Sequence, residues 1–170
     1  MARNSNRLLD ILDRLEQSPE FTAFHAQDPT AFLAHIFLME DPANKDQVQI
    51  GYYDAAKERM TTFVVNNDSI QVLSELEVFK KPDAEILPLD RNAVSFDDQH
   101  ILAKADQTQQ EKYPGHHITK RLFILQHLSI GQVFNVTYIT QAFKTINMKF
   151  DSRTGELKKH HLDSLISVIS

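Results

Sequence analysis

Two segments carry the 3.6-residue period of a helix, each followed by a run of segments with the two-residue period of a strand. Leu8, Ile11, Leu12 and Leu15 fall at i, i+3, i+4 and i+7, which lays one apolar stripe along a helix. Asn4, Ser5 or Asn6 can supply the capping oxygen at its start, and Ser18-Pro19 predicts its end. Phe21 and Phe24 are expected to add apolar cover as the chain leaves the helix. From there the period changes. Ala31 to Met39 is a nearly continuous apolar run that suits a buried strand, and Val48, Ile50 and Tyr52 alternate with Gln49, Gly51 and Tyr53 as in a half-buried one. Met60 to Val65 is β-branched, and Ile70 to Phe79 alternates loosely enough to predict a further strand.

Pro82 to Asn92 interrupts this pattern, since Pro82 and Pro88 limit regular structure. Ser95 and Asp98 have the S-x-x-D spacing of a capping box, Ile101, Leu102 and Ala105 form an apolar helix face, and Tyr113-Pro114-Gly115 stops it. Ile118 to Leu128, Val133 to Thr140 and Phe143 to Asp151 then read as strands, with a turn at Ser152 to Gly155 and another strand from Glu156. Strands that follow each helix in runs, rather than alternating with helices, favour an α+β fold built on antiparallel sheet. The expectation is two tandem helix-plus-antiparallel-sheet units, residues 1–81 and 95–170, joined by a linker at 82–94. Asp54 to Met60 aligns without a gap on Asp151 to Leu157, but Asp is almost the only identity, which leaves an internal duplication open.

The second half resembles a known family. A helix closed by Tyr113-Pro114-Gly115, then antiparallel strands, then Phe150-Asp151-Ser152-Arg153-Thr154-Gly155-Glu156-Leu157 is similar to the PepSY domain, whose signature has the form apolar-Asp-x-x-Thr-Gly-Glu-apolar. The resemblance covers residues 95–161; the first half shares only its layout, and Glu58 stands where the glycine should be. Asp151, Thr154, Gly155 and Glu156 also have a plain structural role, because Asp accepts turn amides and Gly supplies a positive φ. The resemblance implies a module that binds a protein partner, in a regulatory or peptidase-inhibiting role.

Charge and composition narrow the functional classes. Eighteen basic residues against 23 acidic ones give a formal charge of −5, and the basic residues gather only in pairs, so nucleic acid is not an expected partner. No run approaches the ~20 apolar residues of a membrane span, and the N-terminal residues lack the ~7–15-residue apolar core of a signal peptide; the expected location is cytoplasmic. With no cysteine, four glycines and no G-x-S-x-G or H-E-x-x-H, the chain offers no recognised nucleophile, phosphate loop or metal frame. Neither cofactor nor metal is expected, and the histidine pairs His116-His117 and His160-His161, with His127 between, read as solvated or turn-capping. Asp97, Asp98, Asp106 and Glu111 read as the polar face of the second helix, Asn135-Val136-Thr137 as a chance glycosylation triplet, and Phe123, Phe134, Tyr138, Phe143 and Phe150 as sheet core. The expected function is a non-catalytic protein-interaction module acting through sheet edges or the helix–sheet groove. The alternative is a binder of a small apolar ligand between sheet and helices. Leu162 to Ile169 is an apolar terminus that could pair with a second copy in a homodimer.

Overall fold

The computed structural model describes residues 5–40, 47–73, 76–77 and 85–164. It has three α-helices and one antiparallel sheet, an α+β fold. Helix α1 (Arg7–Glu16) begins where the Asn6 side chain accepts from the amides of Leu8 and Leu9, at 3.0 and 3.3 Å, satisfying two donors that a helix start leaves unpaired. Leu8, Leu12 and Leu15 of its stripe are fully buried, each contributing about 2 kcal/mol by area.

Ser18-Pro19 ends α1, and it also starts a second helix that the sequence reading did not separate. The Ser18 hydroxyl donates to the Leu15 carbonyl and accepts from the Phe21 amide, while Pro19 takes the first helical position, where its missing N–H costs nothing. The resulting α2 (Pro19–Gln27) brings Phe21 and Phe24 into an aromatic cluster with Tyr52 and Phe63, ring centroids 5.1 to 5.9 Å apart.

Four strands follow: β1 (Phe32–Glu40), β2 (Val48–Asp54), β3 (Arg59–Val65) and β4 (Ile70–Val72), then a short β5 (Leu76–Glu77) that pairs with the start of β3. The expected strand from Ile70 to Phe79 is thus two pieces, with residues 74–75 and 78–79 outside the described set. After a 3₁₀ turn at Arg91–Ala93 come α3 (Asp98–Lys112), β6 (Ile118–Leu128), β7 (Gly131–Thr140), β8 (Lys144–Asp151) and β9 (Leu157–Ser164). The lane order is β4-β3-β2-β1-β6-β7-β8-β9, so the strands before and after the linker meet through the antiparallel β1–β6 pair and form one continuous sheet. The apolar end expected to pair with a second copy enters β9 as far as Ser164; residues 165–170 lie outside the described set.

Two details of the second half differ from expectation. The cap of α3 is Asp97, whose carboxylate accepts from the His100 amide at 3.0 Å, and not Ser95, whose amide donates to Ser152. Asp97 and Asp98 are buried, because this helix start packs against the start of α1, where Arg7 meets Asp98 at 2.5 Å. Phe143 is not core: it turns the β7–β8 hairpin with a φ of 57° and is 66% exposed.

Helices α1 and α3 lie on the same face of the sheet. One core joins Leu8, Leu12 and Leu15 of α1 and Ile101 and Ala105 of α3 to the residues of the long strands that face them, such as Ile36, Ile50, Phe63, Leu125, Phe134 and Phe150, with Leu157 of β9 packed against it. Polar contacts pin this layer. Glu16 accepts from Tyr52 (2.9 Å) and Arg91 (2.5 Å), and Asp106 accepts from Tyr138 (2.6 Å) and Arg121 (3.3 Å). Burial and the adjacent carboxylate hold both tyrosines in the neutral phenol form.

Candidate functional site

The space between helices and sheet, where the alternative reading of the sequence puts a ligand pocket, is occupied by the fully buried side chains just named. The concavity lies on the opposite face, which is helix-free among the described residues. Neighbours along a strand point to opposite faces, so Ile36 and Ile50 face the helices while His35, Phe37 and Gln49 face away. There, at the middle of the sheet, an open cleft of about 460 Å³ has a floor of Phe37 (β1), Gln49 (β2), Met60 (β3) and Ile124 (β6). Its wall is the segment Glu85 to Leu87, which runs over the sheet on its way to α3.

That wall is fastened at its C-terminal end. The Leu89 amide donates to the Leu33 carbonyl at 2.9 Å, the Pro88 carbonyl lies 3.0 Å from His127 Nδ1, and the Asp90 amide donates to the Gln132 side chain at 2.7 Å. Proline at position 88 suits this role, since it has no N–H to leave unpaired and holds an extended approach. His35 and Gln126, directly paired across β1 and β6, supply polar atoms to the cleft. Burial holds the His35 imidazole below its ordinary pKa, which keeps it neutral at pH 7. Its ring lies over Gly51, where an added Cβ would come within 2.3 Å of Cε1. Gly51 therefore makes room for the imidazole rather than serving a turn.

The turn signature of the second half sits elsewhere. The Asp151 carboxylate accepts from the amides of Arg153 (2.8 Å) and Thr154 (2.9 Å), Gly155 has a φ of 75°, and the Thr154 hydroxyl accepts from the Glu156 amide at 3.2 Å. These four residues close the β8–β9 hairpin against α3, where the Gly155 carbonyl accepts from Lys104. The β2–β3 hairpin repeats the same turn. Asp54 accepts from the amides of Ala56 and Lys57 at 3.0 and 3.2 Å, and Glu58 takes the glycine's place with a φ of 52°.

The histidines are dispersed. His160 Nδ1 lies 2.6 Å from the Tyr113 hydroxyl, His161 lies 3.0 Å from Asp163, and His127 meets the Pro88 carbonyl. Among the described residues, no three His, Asp or Glu side chains are placed to share a metal ion. Asn135 does not project freely, since its side-chain oxygen accepts from Asn147 at 2.6 Å. Among the described residues, no helix is long and apolar enough to cross a membrane.

No protein-family model and no curated protein matches the chain. Among solved structures, a Clostridium difficile 630 protein described as a "putative lipoprotein" is similar in fold. The alignment covers 88% of this chain and 97% of that one, with a TM-score of 0.53 and 15% identity. The likeness supports the α+β, antiparallel-sheet architecture and carries no more than the fold.

Proposed function

We propose that the chain is a non-catalytic binding protein that takes a small apolar molecule into the cleft on the helix-free face of its sheet. The observation that carries this reading is the cleft itself. Its volume of about 460 Å³ lies within the ~300–1,000 Å³ usual for small-molecule sites, which are also mainly apolar with a few placed polar groups. Phe37, Met60, Ile124 and Leu87 supply apolar surface, and His35, Gln49, Gln126 and Glu85 polar atoms. The site belongs to the alternative drawn from the sequence, moved to the other side of the sheet.

A protein partner, the role that a PepSY relationship would bring, is the second reading. What favours it is the apolar edge beside β4, where Val72 and Leu73 are 49% and 42% exposed. The opposite edge is less suited to strand addition, because β9 carries Lys158 and Lys159, and lysines on an edge discourage it. A cytoplasmic site of action is part of the proposal under either reading.

Titration with Nile red, a neutral apolar fluorophore, tests the first reading. The expected result is saturable fluorescence enhancement that Ile124→Asp weakens at least tenfold while the far-ultraviolet circular dichroism stays unchanged. No saturable binding, with cross-linking of a partner protein to the β4 edge, would replace the first reading by the second.

A further inference from the structure

We infer that the molecule held in this cleft is an anionic amphiphile, its apolar chain lying on Phe37 and Ile124 and its carboxylate or phosphate on Lys149 and Lys159. The inference rests on the cleft reading and adds the chemical class of its ligand. Residues directly paired across a ladder share a face of the sheet. Following the register outward from the cleft, Phe37 pairs with Ile124, Ile124 with Asn135, Asn135 with Lys149 and Lys149 with Lys159. One row on the helix-free face thus passes from apolar to amide to a double cation. With strands about 4.8 Å apart, Lys149 stands roughly 10 Å from Ile124 along that row.

The lysine pair is anomalous for this protein. The chain is acidic, with a formal charge of −5, and like charges directly opposite one another destabilise a sheet. The nearby carboxylates have other partners, Asp151 meeting Lys158 at 3.3 Å and Asp163 the His161 ring at 3.0 Å. Among the described residues, neither Lys149 nor Lys159 meets a carboxylate. Lys149 is nonetheless held in place, its ammonium donating to Asn147 Oδ1. The Asn147 amide nitrogen in turn donates to Asn135 (2.6 Å) and Thr137 (3.0 Å). Burial and the neighbouring Lys159 both lower the Lys149 pKa, a penalty that a bound anion would relieve.

Calorimetric titration with dodecanoate, dodecyl phosphate and dodecanol, each below its micellar concentration, tests the class. The wild-type protein should bind at least one of the anions tenfold or more tightly than the alcohol, and the stronger of the two identifies the headgroup. The K149Q/K159Q double variant, changed at one half-buried and one exposed position, should bind the anions no better than the alcohol while keeping wild-type affinity for dodecanol. If wild-type protein binds dodecanol as well as the anions, the cleft reading stands and the anionic class is refuted. If none of the three binds, the cleft reading itself falls and the inference with it.

Discussion

The fit between Gly51 and His35 lets the construction of the cleft be tested by a single methyl group. In Gly51→Ala the new Cβ would lie 2.3 Å from His35 Cε1 and 2.7 Å from both ring nitrogens, so the imidazole must move by more than 1 Å. Overpacking of this kind costs about 1–3 kcal/mol. The backbone at Gly51 is not in the left-handed region, so alanine also brings the ~0.4–1 kcal/mol that comes from restricting the unfolded chain. The net expectation is a loss of about 1 kcal/mol from these opposing terms. In a His35→Ala background the obstacle is gone, and the same substitution should stabilise by about 0.5 kcal/mol. Urea unfolding followed by circular dichroism, run as a double-mutant cycle, measures the difference directly. Because the displaced ring has the cleft beside it, Gly51→Ala should also weaken Nile red binding. Protonation gives an independent reading. A folded-state pKa below 6.5 means that the His35 contribution is complete above pH 6.5 and is lost as the pH falls through the lowered value, a slope that His35→Ala should remove. An equal cost for Gly51→Ala with and without His35 would refute the contact and the account of the cleft floor built on it.

Two further predictions concern the supports of the fold. Arg7 is the charge partner of Asp98, whose other oxygen, Oδ1, is buried without a donor among the described residues; Arg7→Ala should cost about 2 kcal/mol, less than a fully buried pair because the Arg7 side chain is 32% exposed. Burial raises the Asp98 pKa, so its favourable contribution is present below about pH 3.8 and lost as the pH rises through the raised value. Asp98→Asn should therefore compare better with wild type at pH 7 than at pH 3 in urea midpoints, and the reverse order would refute a net burial penalty. At the two matching turns the substitutions should act in opposite directions. Glu58→Gly should relieve a left-handed non-glycine residue and raise the unfolding free energy measured in urea by about 0.5–1 kcal/mol, whereas Gly155→Ala should lower it by more than about 1 kcal/mol. The second cost is the larger because the added Cβ also meets Lys104 Nζ at 2.7 Å and Phe96 at 3.0 Å.

Periodicity carried most of the element order, because the face that packs against the helices enforces it. Leu8, Leu12 and Leu15 are apolar since each meets the sheet, and the alternation from Val48 to Tyr52 records which side chains point at α1 and α2. It failed where one signal had two meanings. Ser18-Pro19 reads equally well as a helix end and as a cap with proline at the first helical position, and only the chain beyond it decides. Ser95 and Asp97 are both capping residues by type. The start of α3 was fixed at Asp97 by packing against α1, a contact between residues 91 positions apart that no local spacing expresses. Phe143 looked like core because aromatic residues usually are, but its positive φ belongs to a turn that puts the ring into solvent.

The cleft was hidden for a more specific reason. Ala31 to Met39 is apolar on both of its alternating faces, which is the pattern of a strand buried on both sides. β1 does sit at the centre of the sheet, and its Ile36 side is covered by the helical layer. Among the described residues, its Phe37 side has the wall from Glu85 to Leu87 beside it, with the cleft next to that wall. β6 repeats the situation, with Leu125 in the core and Ile124 in the cleft. An apolar second face on the two central strands therefore has two causes that look identical in sequence, a covering layer or a ligand. We favour the ligand, since the register continues the same row into Asn135, Lys149 and Lys159, where a covering helix would have to bury two facing ammonium groups. A helix suits that row poorly, and the proposed ligand, a molecule with an apolar body and a negative end, matches it better.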